Sequence, residues 1–329
     1  MQAFLDAGFT TVLCAICPDE ALELRRRIDA GTVKGPRLFL GSIIPLAQPA
    51  AAAGRGGAGR GGDPARFDTS RPPLRPTEPA GAIPAADTIK AVESVATKGY
   101  DYIKTVITVT PRGPETDTLK LIVSEGKKRK LPTITHAVSV IDPLAAIDAH
   151  PDVLVHTPHI GRLEEDADAV KKIASAGIPM TSTLAVFIPH FDADNTPLFR
   201  DAMPFPWNTI SSAGQGPVNA RLLWEAGISY GYGTDTSWPP KQSLADELRA
   251  LSVVFSPLDL TKILGQNAGR STLKQDRIGT IEPGKLADLV LIEGNPLEDV
   301  NALLKVAITI KGGRIVSDQR PGRSSAGRR

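Results

Sequence analysis

The sequence predicts an α/β fold: a TIM-like (β/α) barrel that is one strand short of closure, followed by a small C-terminal β-sandwich portion. Short β-branched runs alternate with helix-like segments from Phe9 to about residue 255, as in repeated βα units. These runs number seven, whereas a closed barrel of this class has eight strands. The strands predicted beyond residue 277 have no helices between them, which indicates a second, small sheet.

Composition restricts the class of protein and of partner. With 329 residues, of which 41% are hydrophobic and 22% charged, the chain can build a large core. The 38 basic and 36 acidic residues leave a net charge of +2, so no field across the whole protein attracts nucleic acid or an anionic membrane. No apolar run approaches the ~18 residues of a membrane helix. We therefore expect a small-molecule substrate, no nucleic-acid or membrane partner, and possible homo-oligomers.

The first elements follow from local signals. A helix is expected to end at Gly8, because glycine is often the residue just past a helix end. Two strands are predicted over residues 9–15 and 36–42, since both runs are rich in β-branched and large apolar residues. Between them a helix is predicted over 18–29, because it opens with proline and acidic residues and carries arginines later.

The motif Cys14-Ala-Ile-Cys17 lies between the first of these strands and the helix. A redox motif requires that placement, so a redox-active pair is one interpretation. The other is that two small apolar residues close a barrel strand. We favour the second, because one local match is weak support for redox chemistry.

Residues 45–84 interrupt the alternation with Ala, Gly, Pro and Arg, including Arg55-Gly-Gly-Ala-Gly-Arg60-Gly-Gly. Such a composition cannot bury a core. We expect an inserted loop that overhangs the barrel mouth and could act as a lid. The alternative is an RNA contact, since Arg-Gly-Gly segments can bind single-stranded nucleic acid.

The remaining elements complete the predicted domains. Helices near residues 85–96, 115–130, 141–149, 164–177, 214–227 and 242–255 alternate with strands near 101–108, 132–137, 152–156, 179–184 and 228–234. A helix over 257–265, strands from residue 278 onwards and a hairpin around Gly312-Gly313 follow. We predict a barrel domain over 1–256 with the insertion 45–84, a helix and small β-sandwich over 257–318, and a disordered tail at 319–329.

Four polar side chains lie at or near the ends of predicted strands: Lys104, His136, His156 and Asp235. The C-terminal ends of barrel strands converge on one mouth, so these residues are expected to share a site although they are far apart in sequence. Imidazole and carboxylate are ligands that Zn²⁺ and similar divalent ions accept. The pattern predicts that a lysine, two imidazoles and a carboxylate share one site, where they could meet around one ion.

Simpler interpretations of the same residues stay open. Lys104 could be an edge-strand lysine whose head reaches solvent, and Asp235 could cap the following helix. His159 is either a substrate-contacting loop residue or a solvated one. His190 and Trp238 are candidate substrate-binding residues, because they follow late strands and could line the mouth.

The most specific motifs are C-terminal: Asn267-Ala-Gly-Arg-Ser-Thr-Leu, Ile278-Gly-Thr-Ile-Glu-Pro-Gly-Lys-Leu-Ala-Asp-Leu-Val-Leu-Ile and Asn295-Pro-Leu-Glu-Asp-Val. Together with Gly8-Phe-Thr-Thr-Val and Gly233-Thr-Asp235, they resemble the metal-dependent amidohydrolase superfamily, in its imidazolonepropionase-like and prolidase-like branch. The resemblance covers almost the whole chain outside residues 45–84.

The resemblance implies a metal-dependent hydrolase of C–N bonds in an amide or cyclic amide. It implies that CO₂ carboxylates Lys104 and that the resulting carbamate bridges two metals, while His136 and His156 bind the second metal. Asp235 would bind the first metal and carry the proton of the attacking water to the leaving amine. The metal would be Zn²⁺, with Mn²⁺ or Fe²⁺ as alternatives.

The sequence departs from this family in one respect. The family's first barrel strand ends in His-x-His, which holds the first metal, and the five histidines here include no such pair. We therefore expect a barrel that lacks its first strand. Lys104, His136 and His156 remain as one ligand set with Asp235 nearby, and the number of ions, one or two, is left open. The alternative is a truncated, non-catalytic remnant. The compartment is left open: cytoplasmic for the sequence as given, secreted or periplasmic if a missing N-terminus carried a signal peptide.

Overall fold

The computed structural model describes residues 1–48, 79–187 and 210–321. Its larger sheet contains seven parallel strands in the order β1 to β7, and each strand pairs with the next along the chain. The strands are β1 (Thr11–Cys14), β2 (Arg37–Ile43), β3 (Tyr102–Val106), β4 (Thr133–His136), β5 (Val153–Val155), β6 (Met180–Thr181) and β7 (Tyr230–Gly231).

Helices separate these strands, as the alternating sequence pattern predicts. They are α1 (Gln2–Asp6), α2 (Glu20–Asp29), α3 (Ala85–Lys98), α4 (Glu115–Lys128), α5 (Ile141–Ala146), α6 (Ala167–Ser175), α7 (Ile210–Glu225), α8 (Pro240–Leu251), α9 (Pro257–Leu264) and α10 (Gln266–Ser271). In the described part of the chain, no pairing joins β7 back to β1. The prediction of a TIM-like barrel one strand short of closure is confirmed.

Alternate residues of the strands face two different cores, because successive side chains on a strand point to opposite sides. Leu40, Ile103 and Leu154 belong to the large cluster formed with the helices. Tyr102 and Ile134 belong to a small inner cluster, which also contains Val153 and is flanked by Leu13, Phe39, Val155 and Leu273. The inner cluster fills the concave side of the sheet and forms the floor beneath the strand ends.

The segment after α10 closes this floor from one side. Leu273 packs against the inner cluster, and the Lys274 ammonium lies 5.0 Å from the centroid of the Phe39 ring. The Tyr102 hydroxyl donates a hydrogen bond to the Thr272 carbonyl. These contacts keep water out of the inner cluster and bind the end of α10 to the central strands.

Buried carboxylates connect the loops at the C-terminal ends of β3 and β4. Asp142, at the start of α5, accepts hydrogen bonds from the backbone N–H groups of Val109 at 3.0 Å and Ser139 at 3.1 Å. Glu115, at the start of α4, accepts one from the Thr110 hydroxyl at 2.6 Å. Both loops therefore have defined positions beside the strand ends.

The C-terminal strands β8 (Leu289–Ile292), β9 (Val306–Lys311) and β10 (Arg314–Asp318) form a separate antiparallel sheet. The predicted hairpin turn is confirmed, since Gly312 and Gly313 have φ angles of 56° and 77°. The N-terminal helix packs on this sheet, and the Thr309 hydroxyl donates to the Leu5 carbonyl at 2.7 Å. The domain boundary after residue 256 stays a prediction, and α9 and α10 both contact β7.

Cys14 and Cys17 form a disulfide, with their Cα atoms 5.9 Å apart. Both residues are half-buried and pack against the main core, as expected for small apolar side chains. The interpretation of the two cysteines as small apolar residues that close a barrel strand is nevertheless wrong in one respect, because their sulfurs are bonded to each other. The pairing is possible because the chain turns sharply after β1, where the Cys17 N–H donates to the Gly41 carbonyl at 3.0 Å.

Several predictions concern residues outside the described ranges. His190, most of the insertion 45–84 and residues 322–329 of the tail fall there, so the lid, RNA-contact and tail predictions stay predictions. The helices in the described ranges are all too short or too polar to cross a membrane.

Replacing Gly41 by alanine is expected to lower the free energy of unfolding by about 2–3 kcal/mol. A Cβ at this position would collide with the Ala15 carbonyl oxygen, a backbone atom that cannot move without displacing the turn after β1. Urea unfolding of the Gly41→Ala variant measures the change. Ser42→Ala is the control for a substitution in the same strand, and equal stability of the two variants would contradict the steric explanation.

Candidate active site

The structure brings together the four residues that the strand-end pattern singles out. Lys104 lies on β3, His136 is the last residue of β4, and His156 directly follows β5. The rings of His136 and His156 meet edge to face, with centroids 4.3 Å apart. Nε2 of His156 lies 3.7 Å from Oδ2 of Asp235, which is in the loop after β7. The predicted convergence at one mouth is therefore observed, although the roles of these residues stay predictions.

Lys104 points to the concave side of the sheet, on the same face as Tyr102, and is only 3% exposed. Its Nζ forms no hydrogen bond with any residue that the structure describes. Burial lowers the pKa of this amine to about 7, against the opposing effect of the nearby Asp235 carboxylate. The alternative of an edge-strand lysine that reaches solvent is wrong, since β3 is a central strand.

Both histidines at the strand ends have pKa values below the ordinary range. For His136, burial is the main cause and the positive charge of Lys104 is the second. For His156, burial again dominates, followed by His136 and Lys104. Both imidazoles are consequently neutral at physiological pH, the form in which a ring nitrogen keeps a lone pair for a metal ion.

The backbone at three of the strand ends is in the left-handed region. His156, Thr183 and Asp235 have φ angles of 78°, 46° and 51°. Such angles are uncommon for residues other than glycine, and for a β-branched threonine they are strained. Strained residues are concentrated at functional sites, so this clustering supports the assignment of the site.

Asp235 does not cap the next helix. Helix α8 begins at Pro240, and the residue before it is Pro239, so the capping alternative is wrong. The Asp235 side chain is 60% exposed, in contrast to the buried His156 beside it. A carboxylate that touches both solvent and the buried groups can exchange protons with water at the mouth.

The other predicted site residues have different outcomes. His159 is 4% exposed, which makes the solvated interpretation wrong, and its ring packs against Gly216 of α7 so closely that a Cβ there would collide with it. Trp238 is half-buried between β7 and α8. A role of either residue in substrate binding stays a prediction, as does that of His190.

Two residues of this region had no signal in the sequence. Thr183 follows β6, and its hydroxyl lies 2.7 Å from Nδ1 of His156. Glu247 of α8 is fully buried and bonds to the turn that contains Thr183. A threonine in a Thr-Ser-Thr run and a glutamate within an amphipathic helix are ordinary residues by pattern, so only the tertiary structure reveals them.

A buried amine, two neutral imidazoles and a carboxylate are the groups that this site offers to a metal ion. In the ranges that the structure describes, no cluster of three or more His, Cys, Asp and Glu side chains is arranged around one point. A site here therefore needs Lys104 as well as His136, His156 and Asp235. A buried amine without a hydrogen-bonding partner, next to two neutral imidazoles, is chemically suited to such a role once the amine is converted to an anion.

Residues 1–316 match the Amidohydrolase family, so the chain belongs to that family. An imidazolonepropionase from Shouchella clausii (strain KSM-K16) is 27% identical over 202 residues, which are 59% of this chain and 40% of that protein. The chain thus matches less than half the length of this curated relative.

Solved structures of amidohydrolases and related hydrolases share the fold. A prolidase in complex with N-methylphosphonate-L-proline superposes with a TM-score of 0.72 at 22% identity, covering 97% of this chain and 78% of the prolidase. The ochratoxinase of A. niger gives a TM-score of 0.69 at 21% identity, with 98% and 74% of the two chains covered. These structural similarities confirm the fold, and the match to the Amidohydrolase family confirms the family that the C-terminal motifs predict.

The Lys104→Met variant is expected to have a higher free energy of unfolding than the natural protein at neutral pH. This difference should become smaller as the pH rises. Between pH 7 and about 10.5 the unfolded chain keeps a proton on Lys104 that the folded chain has released, so the natural protein becomes more stable with increasing pH. Methionine has no such dependence. From pH 7.5 to 9.5 the difference in unfolding free energy should move by about 2–3 kcal/mol in favour of lysine.

Denaturant unfolding of both metal-free proteins in bicarbonate-free buffer measures this difference. Titrating groups that the two proteins share contribute equally to both unfolding free energies, so their contributions cancel. A difference that does not change with pH would show that the folded protein keeps Lys104 charged over this range. In that case burial would not set the protonation of the site.

Proposed function

We propose that this protein is a metal-dependent hydrolase of C–N bonds, acting on an amide or cyclic amide in a small molecule. One observation carries the proposal: the buried Lys104 amine, without a hydrogen-bonding partner in the described ranges, adjoins two neutral imidazoles and a carboxylate. Membership of the amidohydrolase family supports it.

Lys104 is suited to reaction with CO₂. Only a neutral amine attacks CO₂, and a pKa of about 7 leaves a large fraction of this side chain neutral at physiological pH. The nitrogen lone pair forms the new N–C bond, one proton leaves to solvent, and the product is an anionic carbamate with two oxygens. Burial then disfavours an uncompensated anion, which favours binding of a cation.

A divalent ion, for which Zn²⁺ is the first candidate and Mn²⁺ or Fe²⁺ the alternatives, would be held by the Lys104 carbamate, His136 and His156. When bound, such an ion lowers the pKa of water and polarises a carbonyl group. The two histidines contribute neutral nitrogen ligands whose rings are fixed at neighbouring strand ends.

Asp235 is the group that moves protons in this proposal. Its carboxylate accepts a proton from the attacking water and donates that proton to the nitrogen of the leaving amine, so the C–N bond breaks without releasing an amide anion. Burial raises the pKa of the Asp235 carboxyl, with the positive charge of Lys104 opposing the rise, and a raised pKa makes the carboxylate a better proton acceptor.

The site favours a substrate with an apolar group near the scissile bond. Ile43 of β2 is 46% exposed and is the register partner of Lys104, and Val106 of β3 is 36% exposed and pairs with His136. Relatives named imidazolonepropionase and prolidase make imidazolone-like and dipeptide-like compounds the first substrate classes to test.

The primary test measures bound metal per chain in protein prepared with Zn²⁺ and bicarbonate. The expected result is about one ion per chain in the natural protein and none in Lys104→Ala, because the variant lacks the carbamate. Absence of metal from both proteins would favour the second hypothesis, a non-catalytic remnant of an amidohydrolase, over the hydrolase.

Hydrolysis is tested with N-acyl amino acids, dipeptides and cyclic amides. Asp235→Asn is expected to keep the bound Zn²⁺ within about a factor of ten and to lower kcat by ~10²-fold or more, since the amide cannot accept the water proton. An unchanged kcat in this variant would assign proton transfer to another group. The test of metal content stays informative even if none of these substrates is hydrolysed.

A further inference from the structure

The turn 182–185 lies between His156 and the loop that carries Asp235, and contacts both. We propose that Thr183 and Glu247 are positioning residues: the Thr183 hydroxyl holds His156 in the tautomer with Nδ1 protonated, and Glu247 holds the turn that presents this hydroxyl. The proposal rests on the proposed function in that it assigns Nε2 of His156 to metal binding. The hydrogen-bonding arrangement itself can be tested without metal.

The contact between Thr183 and His156 joins the threonine hydroxyl to Nδ1 of the ring, and we assign the ring proton to Nδ1. The hydroxyl oxygen of Thr183 lies 2.7 Å from Nδ1 of His156, a short hydrogen bond between two fully buried groups. If Nδ1 carries the proton, it donates to this oxygen, and Nε2 keeps its lone pair on the side facing Asp235, 3.7 Å away. A metal-ligating histidine commonly donates its other ring N–H to such an outer partner, which fixes the ring.

His156 is also fixed through its backbone. Its N–H donates to the hydroxyl of Thr181 at 3.1 Å, so two threonines of the same segment bind the backbone and the ring of this residue. Since His156 has a φ angle of 78°, its side chain projects in a direction that an extended strand residue would not give. The pair of contacts compensates for this strained conformation.

Thr183 itself is a β-branched residue with a φ angle of 46°, so its position must be imposed by its surroundings. Its N–H donates to the Gly233 carbonyl at 3.1 Å. The next two backbone N–H groups, of Leu184 and Ala185, donate to the two carboxylate oxygens of Glu247 at 2.9 and 2.8 Å. One carboxylate thus receives two successive amides of the turn.

The same turn contacts the loop of Asp235. The Ser182 hydroxyl lies 3.3 Å from both the carbonyl oxygen and the nitrogen of Gly233, two residues before Asp235. A displacement of the turn would therefore move the histidine and the carboxylate together. This shared support explains why a buried acidic residue is placed on the helix after β7, where no sequence pattern requires one.

Glu247 is suited to this role because a carboxylate is the group that accepts from two N–H donors at once. A glutamine in its place has only one accepting oxygen. Its NH₂ group would face the second backbone N–H, and two donors cannot form a hydrogen bond with each other. Helix α8 fixes the side chain, since the neighbouring Leu244 and Leu248 are buried in the main core.

The first experiment determines the tautomer of His156 by ¹⁵N NMR of the metal-free protein, with its signals assigned by difference from His156→Gln. The expected result is a protonated Nδ1 and an unprotonated Nε2 in the natural protein and in Thr183→Ser, which keeps the hydroxyl. Thr183→Val should populate the other tautomer. Thr105→Val is the matched control, because it removes a buried hydroxyl that donates a 3.0 Å hydrogen bond to Thr135 instead of contacting the His156 ring.

The second experiment measures Zn²⁺ affinity of the same proteins and of Glu247→Gln. Thr183→Val and Glu247→Gln should weaken Zn²⁺ binding by ~10–100-fold, the range typical for loss of an outer partner of a ligand. Glu125→Gln is the control for Glu247, since it alters a buried carboxylate of α4 remote from the turn. Thermal unfolding of each variant identifies any that fail to fold.

The outcomes separate this inference from the proposed function. A protonated Nε2 in the natural protein, or the same tautomer and affinity in Thr183→Val, would overturn the role of Thr183. Unchanged Zn²⁺ affinity and tautomer in folded Glu247→Gln would overturn that of Glu247. If no protein binds Zn²⁺, the proposed function fails, while the tautomer of the metal-free protein still decides the role of Thr183.

Discussion

The removal of the Lys104 amine from water is the constraint on which the site depends. A lysine on a central strand, above a floor of Tyr102, Ile134 and Val153, is separated from solvent. Desolvation disfavours the ammonium and lowers its pKa into the physiological range, while the more exposed Asp235 compensates only in part. The same burial keeps His136 and His156 neutral. One apolar floor therefore lowers the pKa values of the lysine and of both histidines.

The open sheet is compatible with this site because of where the residues lie. Lys104, His136 and His156 come from β3, β4 and the end of β5, three neighbouring strands with partners on both sides. Their relative positions are set by continuous parallel register and do not require contact between β1 and β7. Asp235 alone belongs to the loop of an edge strand, and the turn 182–185 connects that loop to the centre of the site.

The support of the site has two layers of different chemistry. Apolar side chains beneath the strand ends exclude water, whereas hydroxyl and carboxylate groups behind them direct the polar residues. Glu247 and Asp142 perform similar work on opposite sides of the mouth: each buried carboxylate accepts two backbone N–H groups from loops that follow strands. Two hydrogen bonds from backbone N–H groups to one side chain maintain loop conformations that would otherwise be strained.

The amino-acid sequence by itself determined the parallel strand–helix order, the hairpin at Gly312-Gly313, and the three strand-end residues Lys104, His136 and His156. It did so because burial imposes periods of two and 3.6 residues, and because parallel strands must present their C-terminal ends together. The motifs around Gly233-Thr-Asp235 and the C-terminal segments also identified the family.

Only the tertiary structure decided the bonding of Cys14 to Cys17, the burial of His159, and the support of His156 by Thr183 and Glu247. These depend on contacts between segments far apart along the chain. The Leu184 amide meets a carboxylate 63 residues later, and Thr183 reaches a histidine 27 residues earlier. The local sequence pattern does not predict such a contact, because threonine and glutamate are also common on solvent-exposed surfaces. Their role follows from the three-dimensional position of the turn.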